Sequence, residues 1–131
     1  MTLSTSQISA YFDRISLPHP TRKLLHEGPN GRAALGAITT LQQHHLAAVP
    51  YENLELHYST HRTMPLDTES VYSRVVVEKR GGTCIQVNLF FTQLLRSIGF
   101  QAYCTGGRLN AVASVTAGPN VDKTQVLFGA W

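Results

Sequence analysis

The sequence predicts one α+β domain, helical in front and strand-forming behind. Three observations lead there. Apolar residues recur at helical spacing as far as Ile98, and short β-branched and aromatic runs among Gly and Asn turns follow Gly99. A length of 131 residues, 43% of them apolar, fills one core and not two. Helices first and strands after is the segregated order of an α+β fold, unlike the alternation of a doubly wound sheet.

The elements follow in order. Thr5 or Ser6 caps a first helix whose apolar face is Ile8, Tyr11, Phe12 and Ile15, and Leu17-Pro18 closes it. A loop through Gly28-Pro29-Asn30-Gly31 leads to a second stripe, Leu35, Ile38, Leu41, His45 and Leu46, ended by Pro50. Asp67 caps a third helix, with Leu66 and Val71 placed as a hydrophobic staple. From Cys84, the residues Val87, Phe91, Leu94, Leu95 and Ile98 line a fourth helix that Gly99 ends in a left-handed conformation. Beyond it Phe100–Cys104, Val112–Val115 and Gln125–Phe128 read as short strands. Three such strands cannot close a barrel, so their edges call for a partner or for further chain.

Composition narrows the function. Eleven Lys and Arg against eight Asp and Glu give +3, scattered along the chain and without the clustered basic face of a nucleic-acid binder. No apolar run approaches the roughly 18 residues of a membrane span, and the first residues lack the basic start and apolar stretch of a secretory leader. Two cysteines, Cys84 and Cys104, make no disulfide framework, and a reducing cytoplasm is the expected compartment.

The sharpest chemical feature is Arg80-Gly81-Gly82-Thr83-Cys84, a loop turning directly into a helix that begins with a thiol. Paired glycines let backbone approach closely and can leave N–H groups to cradle an oxyanion. The helix start and Arg80 both favour thiolate, but a helix terminus is worth only about 0.3 to 1 kcal/mol. Full cysteine catalysis generally adds a histidine as proton acceptor. The six histidines, His19, His26, His44, His45, His57 and His61, all precede Cys84. The competing reading of Cys84 is a small packing residue at a helix start. Cys104, in an expected strand, reads as core.

His57 and His61 have helical spacing, but no third ligand sits at a convincing distance in sequence, and adjacent His44 and His45 point to different faces. No metal is assigned. In Val49-Pro50-Tyr51-Glu52-Asn53-Leu54 the polar pair reads either as an Asx turn or as support for the site. In the second case Glu52 grips Arg80 in a bidentate pair beside the glycine loop.

Val49-Pro50-Tyr51-Glu52-Asn53-Leu54-Glu55-Leu56-His57-Tyr58, Arg80-Gly81-Gly82-Thr83-Cys84-Ile85-Gln86-Val87-Asn88 and Leu94-Leu95-Arg96-Ser97-Ile98-Gly99-Phe100 together resemble the arylamine N-acetyltransferase family. The resemblance covers residues 5 to 109. It implies a cysteine-protease-like fold, here an N-terminal helical bundle followed by the first strands of an incomplete β-barrel. Residues 1–99 would then be the helical domain carrying the nucleophile and 100–131 the start of the barrel, in one folding unit.

The resemblance also implies acyl transfer from acetyl-CoA to an arylamine through an acetyl-cysteine, with acetyl-CoA as substrate and no bound cofactor. Cys84 matches the nucleophile. Arg80, Gly81, Gly82, Glu52 and Asn88 match supporting positions, and Tyr51 stands at a substrate-facing position usually held by Phe. Gln86 stands where Glu is common.

The family's triad histidine and aspartate have no counterpart downstream: either Gln125 after Thr124 replaces the histidine, or Phe128-Gly129-Ala130-Trp131 leads toward it as the sequence ends. The expectation is therefore a truncated member, impaired or inactive alone. A second reading is a non-catalytic assembly piece that pairs with another protein through its exposed strand edge. A third, a papain- or transglutaminase-type hydrolase, is disfavoured by the Pro-Tyr-Glu-Asn-Leu segment.

Overall fold

A computed structural model describes residues 2–29, 32–110 and 126–128. Helix α1 (Thr5–Arg14) is capped one residue earlier than expected, by Ser4. Its hydroxyl accepts the Gln7 N–H at 3.3 Å while the Gln7 side chain accepts the Ser4 N–H at 2.9 Å, a reciprocal capping box. Ile8, Tyr11, Phe12 and Ile15 are buried as the spacing predicts. The helix stops in a Schellman turn, Leu17 N–H to Phe12 C=O at 2.9 Å and Ser16 N–H to Asp13 C=O at 3.1 Å, with Ser16 at φ 53°.

Helix α2 (His19–His26) was not expected; it starts directly after the Leu17-Pro18 stop and contains Pro20. The two prolines sit at its cap and in its first turn, where the missing N–H has no intrahelical partner to lose. Helix α3 (Arg32–Ala48) keeps the predicted period, with Leu41 and His45 of the expected stripe buried and Ile38 packed against the core. Leu35 and Leu46 are 74% and 68% exposed, whereas Ala34, Ala37, Leu41 and His45 are inside.

A short helix α4 (Leu54–Tyr58) follows the Pro50 bend, and α5 (Thr68–Tyr72) is capped by Asp67, which accepts the Ser70 N–H at 2.8 Å. That bond holds the Asp67 carboxyl below its ordinary range. Leu66 stays half exposed, so the staple contributes little. A π-helical turn, Ser73–Val77, carries the chain to Lys79 at φ 56°.

Helix α6 (Cys84–Ser97) has Gln86, Phe90 and Leu94 on its deepest line, with Val87, Phe91, Leu95 and Ile98 packed beside them. Phe90 meets Tyr11 edge-on at 5.3 Å between ring centroids, joining α1 to α6 at the centre of the core.

The expected α+β class with the first strands of a barrel is corrected. The described residues are helical, and their only paired strands are β1 (Arg108–Asn110) and β2 (Val126–Phe128), an antiparallel pair of three residues each. Phe100–Cys104 forms no strand because its backbone completes α6. The Phe100 N–H reaches Leu95 C=O at 2.9 Å, the Gly99 N–H reaches Arg96 C=O at 3.1 Å, and Arg96 Nε binds Ala102 C=O at 2.7 Å. Gly99, at φ +96°, makes this Schellman turn as the sequence predicts. Val112–Val115, Thr124, Gln125 and Gly129–Trp131 lie outside the described residues. With no barrel among the described residues, the barrel edge that motivated the assembly reading is absent there. No helix among them is long and apolar enough to cross a membrane.

Candidate active site

Two segments distant in sequence are laid side by side. The Gly82 N–H donates to Pro50 C=O at 3.2 Å and the Glu52 N–H to Gly82 C=O at 3.0 Å, forming a parallel bridge between Tyr51 and Gly82. Gly81 is required by space: a Cβ there would lie 1.6 Å from the Pro50 carbonyl oxygen. The glycines thus admit a neighbouring backbone, not a ligand. The N–H groups of Arg80, Gly82 and Thr83 bind Arg74 C=O, Pro50 C=O and Gln86 Oε1, so they cradle no anion. The loop is a brace.

Gln86 locks it to α6. Fully buried, it accepts the Thr83 N–H at 3.2 Å and donates through Nε2 to Pro65 C=O at 2.8 Å. The second bond needs an amide donor, which an ionised glutamate at this position would lack.

Glu52 and Arg80 do meet, but not as a bidentate pair. Arg80 Nη2 lies 3.4 Å from Glu52 Oε1 and 3.6 Å from Glu55 Oε2, and its Nη1 lies 3.5 Å from Glu78 Oε2. Glu52 turns its other oxygen to the Leu54 N–H at 2.6 Å. Buried Arg74 also binds Glu55, at 3.1 Å. Arg80 is thus shared among three carboxylates that offset its charge, and these contacts tie the loop to the Glu52–Glu55 segment. Arg14 ties the same region from below, donating to Ala48 C=O at 2.9 Å and to Val75 C=O and Lys79 C=O, each at 3.3 Å.

Cys84, half-buried, is the first residue of α6 and faces a cavity of about 190 Å³. Its walls come from α3 (Gln42, His45, Leu46), the brace (Val49, Tyr51) and α6 (Val87, Asn88, Phe91). Tyr51 and Asn88 therefore share the thiol's cavity, while Glu52, Arg80, Gly81 and Gly82 form the frame behind it. On the adjoining face of α6 a larger open groove of about 540 Å³ runs past Asn88 to Cys104 and does not reach Cys84. Each thus carries one thiol, Cys84 in the smaller and Cys104 in the larger. Cys104 is exposed, its Sγ 3.1 Å from Thr92 Oγ, contrary to the core reading.

Sequence reasoning missed that a histidine borders the cavity of Cys84. His45 is 4% exposed, its Nδ1 is 2.6 Å from the Tyr11 hydroxyl, and its ring lies 4.8 Å from that of Phe91. Burial lowers its pKa to about 4, so at neutral pH it is an uncharged imidazole. With Nδ1 engaged and a pKa that low, it is a poor proton acceptor for a thiol. The signal was present in the sequence as a histidine on the apolar stripe one turn before Val49-Pro50. His44, next to it, points elsewhere and donates from Nδ1 to Ile15 C=O at 3.0 Å.

A sequence model of N-acetyltransferases matches residues 34–125. The chain is 35% identical over 137 residues to an N-malonyltransferase of Fusarium pseudograminearum (strain CS3096), covering 98% of this chain and 38% of that protein. It is 34% identical over 100 residues to the liver isozyme of arylamine N-acetyltransferase of Gallus gallus, and 37% identical over 100 residues to arylamine N-acetyltransferase 1 of Bos taurus. Each of these two alignments covers 76% of this chain and 31% of the relative. The chain thus spans less than two fifths of the length of these relatives.

Proposed function

Because the chain belongs to the arylamine N-acetyltransferase family, we propose that Cys84 is the acyl-accepting nucleophile of a CoA-dependent N-acyltransferase. The supporting observation is its place at the head of α6, on the wall of a cavity framed by the Pro50–Glu52 and Arg80–Gly82 brace. The thiolate sulfur attacks the thioester carbonyl, the C–S bond to CoA breaks, the acyl group remains on Cys84, and CoA leaves as a thiolate that takes a proton from solvent, to which the amine later returns one. An amine nitrogen then attacks that carbonyl, and the amide leaves as Cys84 recovers its thiolate.

The acceptor is an arylamine by analogy with the vertebrate relatives, and the donor is acetyl-CoA. Malonyl-CoA is the second donor to test, since the fungal relative is named for malonyl transfer. Tyr51 and Asn88, both on the lining of the cavity, border the acceptor. His45 is no substitute for a triad histidine, so the chain by itself is expected to acylate slowly.

Intact-protein mass spectrometry after incubation with each CoA thioester tests the reading. One acyl increment, mapped to Cys84 and absent in Cys84→Ala, is expected. An unmodified Cys84, or equal labelling of Cys104, would overturn it.

A further inference from the structure

His45 has no part in the transfer chemistry above, yet its buried imidazole lies on the wall of the Cys84 cavity. The direction of its bond to Tyr11 can be deduced. Tyr11 is fully buried, and desolvation holds its phenol above the ordinary range, so the hydroxyl keeps its proton. Among the described residues that proton has one acceptor, His45 Nδ1, at 2.6 Å. The phenol therefore donates, Nδ1 accepts, and the proton of the neutral imidazole resides on Nε2.

Among the described residues no buried side-chain nitrogen or oxygen lacks a partner, and Nε2 makes no hydrogen bond to any of them. Nε2 thus retains contact with accessible space, which for His45 is the cavity. The walls are mostly apolar, from Leu46, Val49, Val87 and Phe91, with Gln42, Tyr51 and Asn88 as further polar groups on the lining. A cavity of about 150 Å³ holds benzene, so one of about 190 Å³ holds a single ring with a small substituent.

We propose that His45 is a ligand-positioning residue whose Nε2–H donates to a neutral oxygen acceptor carried on the ring of the acceptor amine, with Tyr11 fixing the tautomer. The proposal rests on the acyl-transfer reading for its ligand class. It gives the cavity a chemical preference: a ring bearing a carbonyl or ether oxygen is favoured over its hydrocarbon isostere.

The test is a titration of the full chain, labelled with nitrogen-15 at histidine, with para-aminoacetophenone and its isostere para-isopropylaniline. The free chain should show His45 protonated on Nε2. The ketone should shift that nitrogen and bind about three- to tenfold more tightly than the hydrocarbon, the value of one neutral hydrogen bond. His45→Gln, which keeps an N–H donor, should retain part of the preference, and His45→Leu should abolish it. A proton on Nδ1 in the free chain, equal affinities, or no binding of either probe would overturn the proposal. The tautomer and probe comparison in the unaltered chain stand even if a variant fails to fold. Failure of Cys84 to accept an acyl group would sink the acyl-transfer reading while leaving these two readouts intact.

Discussion

Replacing Gly81 with Ala inserts one carbon where the structure has no room. The new Cβ would lie 1.6 Å from the Pro50 carbonyl oxygen, and since real Cβ contacts essentially never fall under 3.0 Å, the segments must part by 3.0 − 1.6 = 1.4 Å. That opening breaks the Gly82-to-Pro50 and Glu52-to-Gly82 hydrogen bonds. Two such bonds contribute about 1 to 3 kcal/mol, and overpacking adds about 1 to 3 kcal/mol, for about 2 to 6 kcal/mol in all. Gly82→Ala is the comparison, because its Cβ would meet the Gln86 side-chain oxygen at 3.0 Å, so the buried amide needs to give by only a few tenths of an ångström. Its expected cost is about 1 kcal/mol. Urea unfolding followed by circular dichroism measures both, and iodoacetamide labelling of Cys84 reports whether the site has opened. Should Gly81→Ala fall within 1 kcal/mol of the parent, or prove milder than Gly82→Ala, the brace is not what these glycines serve.

The other predictions concern groups around the same frame. Gln86→Glu places a carboxylate against the Pro65 carbonyl in a fully buried position and should cost about 1 to 3 kcal/mol, while Gln86→Met, which leaves both partners unmet, should cost a similar amount; an unchanged urea midpoint for Gln86→Glu would refute the assignment of the 2.8 Å bond. His45 titrates at about 4 when folded against 6.5 when unfolded. The unfolded chain therefore binds the extra proton first, and stability present above pH 6.5 should decline as pH falls toward 4, by up to about 3 kcal/mol. A stability–pH curve of His45→Gln should lose that slope, and an unaltered slope would assign it elsewhere. Arg14→Ala removes donors to three backbone carbonyls and should cost about 2 to 3 kcal/mol, read by thermal melting; Arg14→Lys should rescue only a part, because one ammonium cannot span the three.

Much of this molecule was legible in its sequence because the signals are local. The stripe Ile8, Tyr11, Phe12 and Ile15, the Asp67 cap and the Gly99 stop depend on spacing and on backbone chemistry within a turn or two, and all three reappear. So does a thiol at the head of α6. One residue can serve opposite ends: Pro18, expected to follow the end of the first helix, also caps the start of α2, a helix the sequence reading omitted. The apolar run Phe100–Cys104 carries strand propensity, but its backbone groups complete α6 first.

What only tertiary structure decided is which distant groups came together. Period alone fixes a stripe's spacing but not its edges: Leu41 and His45 of the α3 stripe are buried, while Leu35 and Leu46 at its edges face outward and Ala34 and Ala37 take the inner places. Gly81 and Gly82 announce a close approach without saying to what; the fold supplies Pro50. The pairing of Arg80 and Glu52 was foreseeable from charge, its dilution among Glu55 and Glu78 was not. The physical reason is the same throughout: hydrogen bonding within a helix is set by neighbours in sequence, whereas burial, and the protonation state of His45 with it, is set by whatever the packed chain brings alongside.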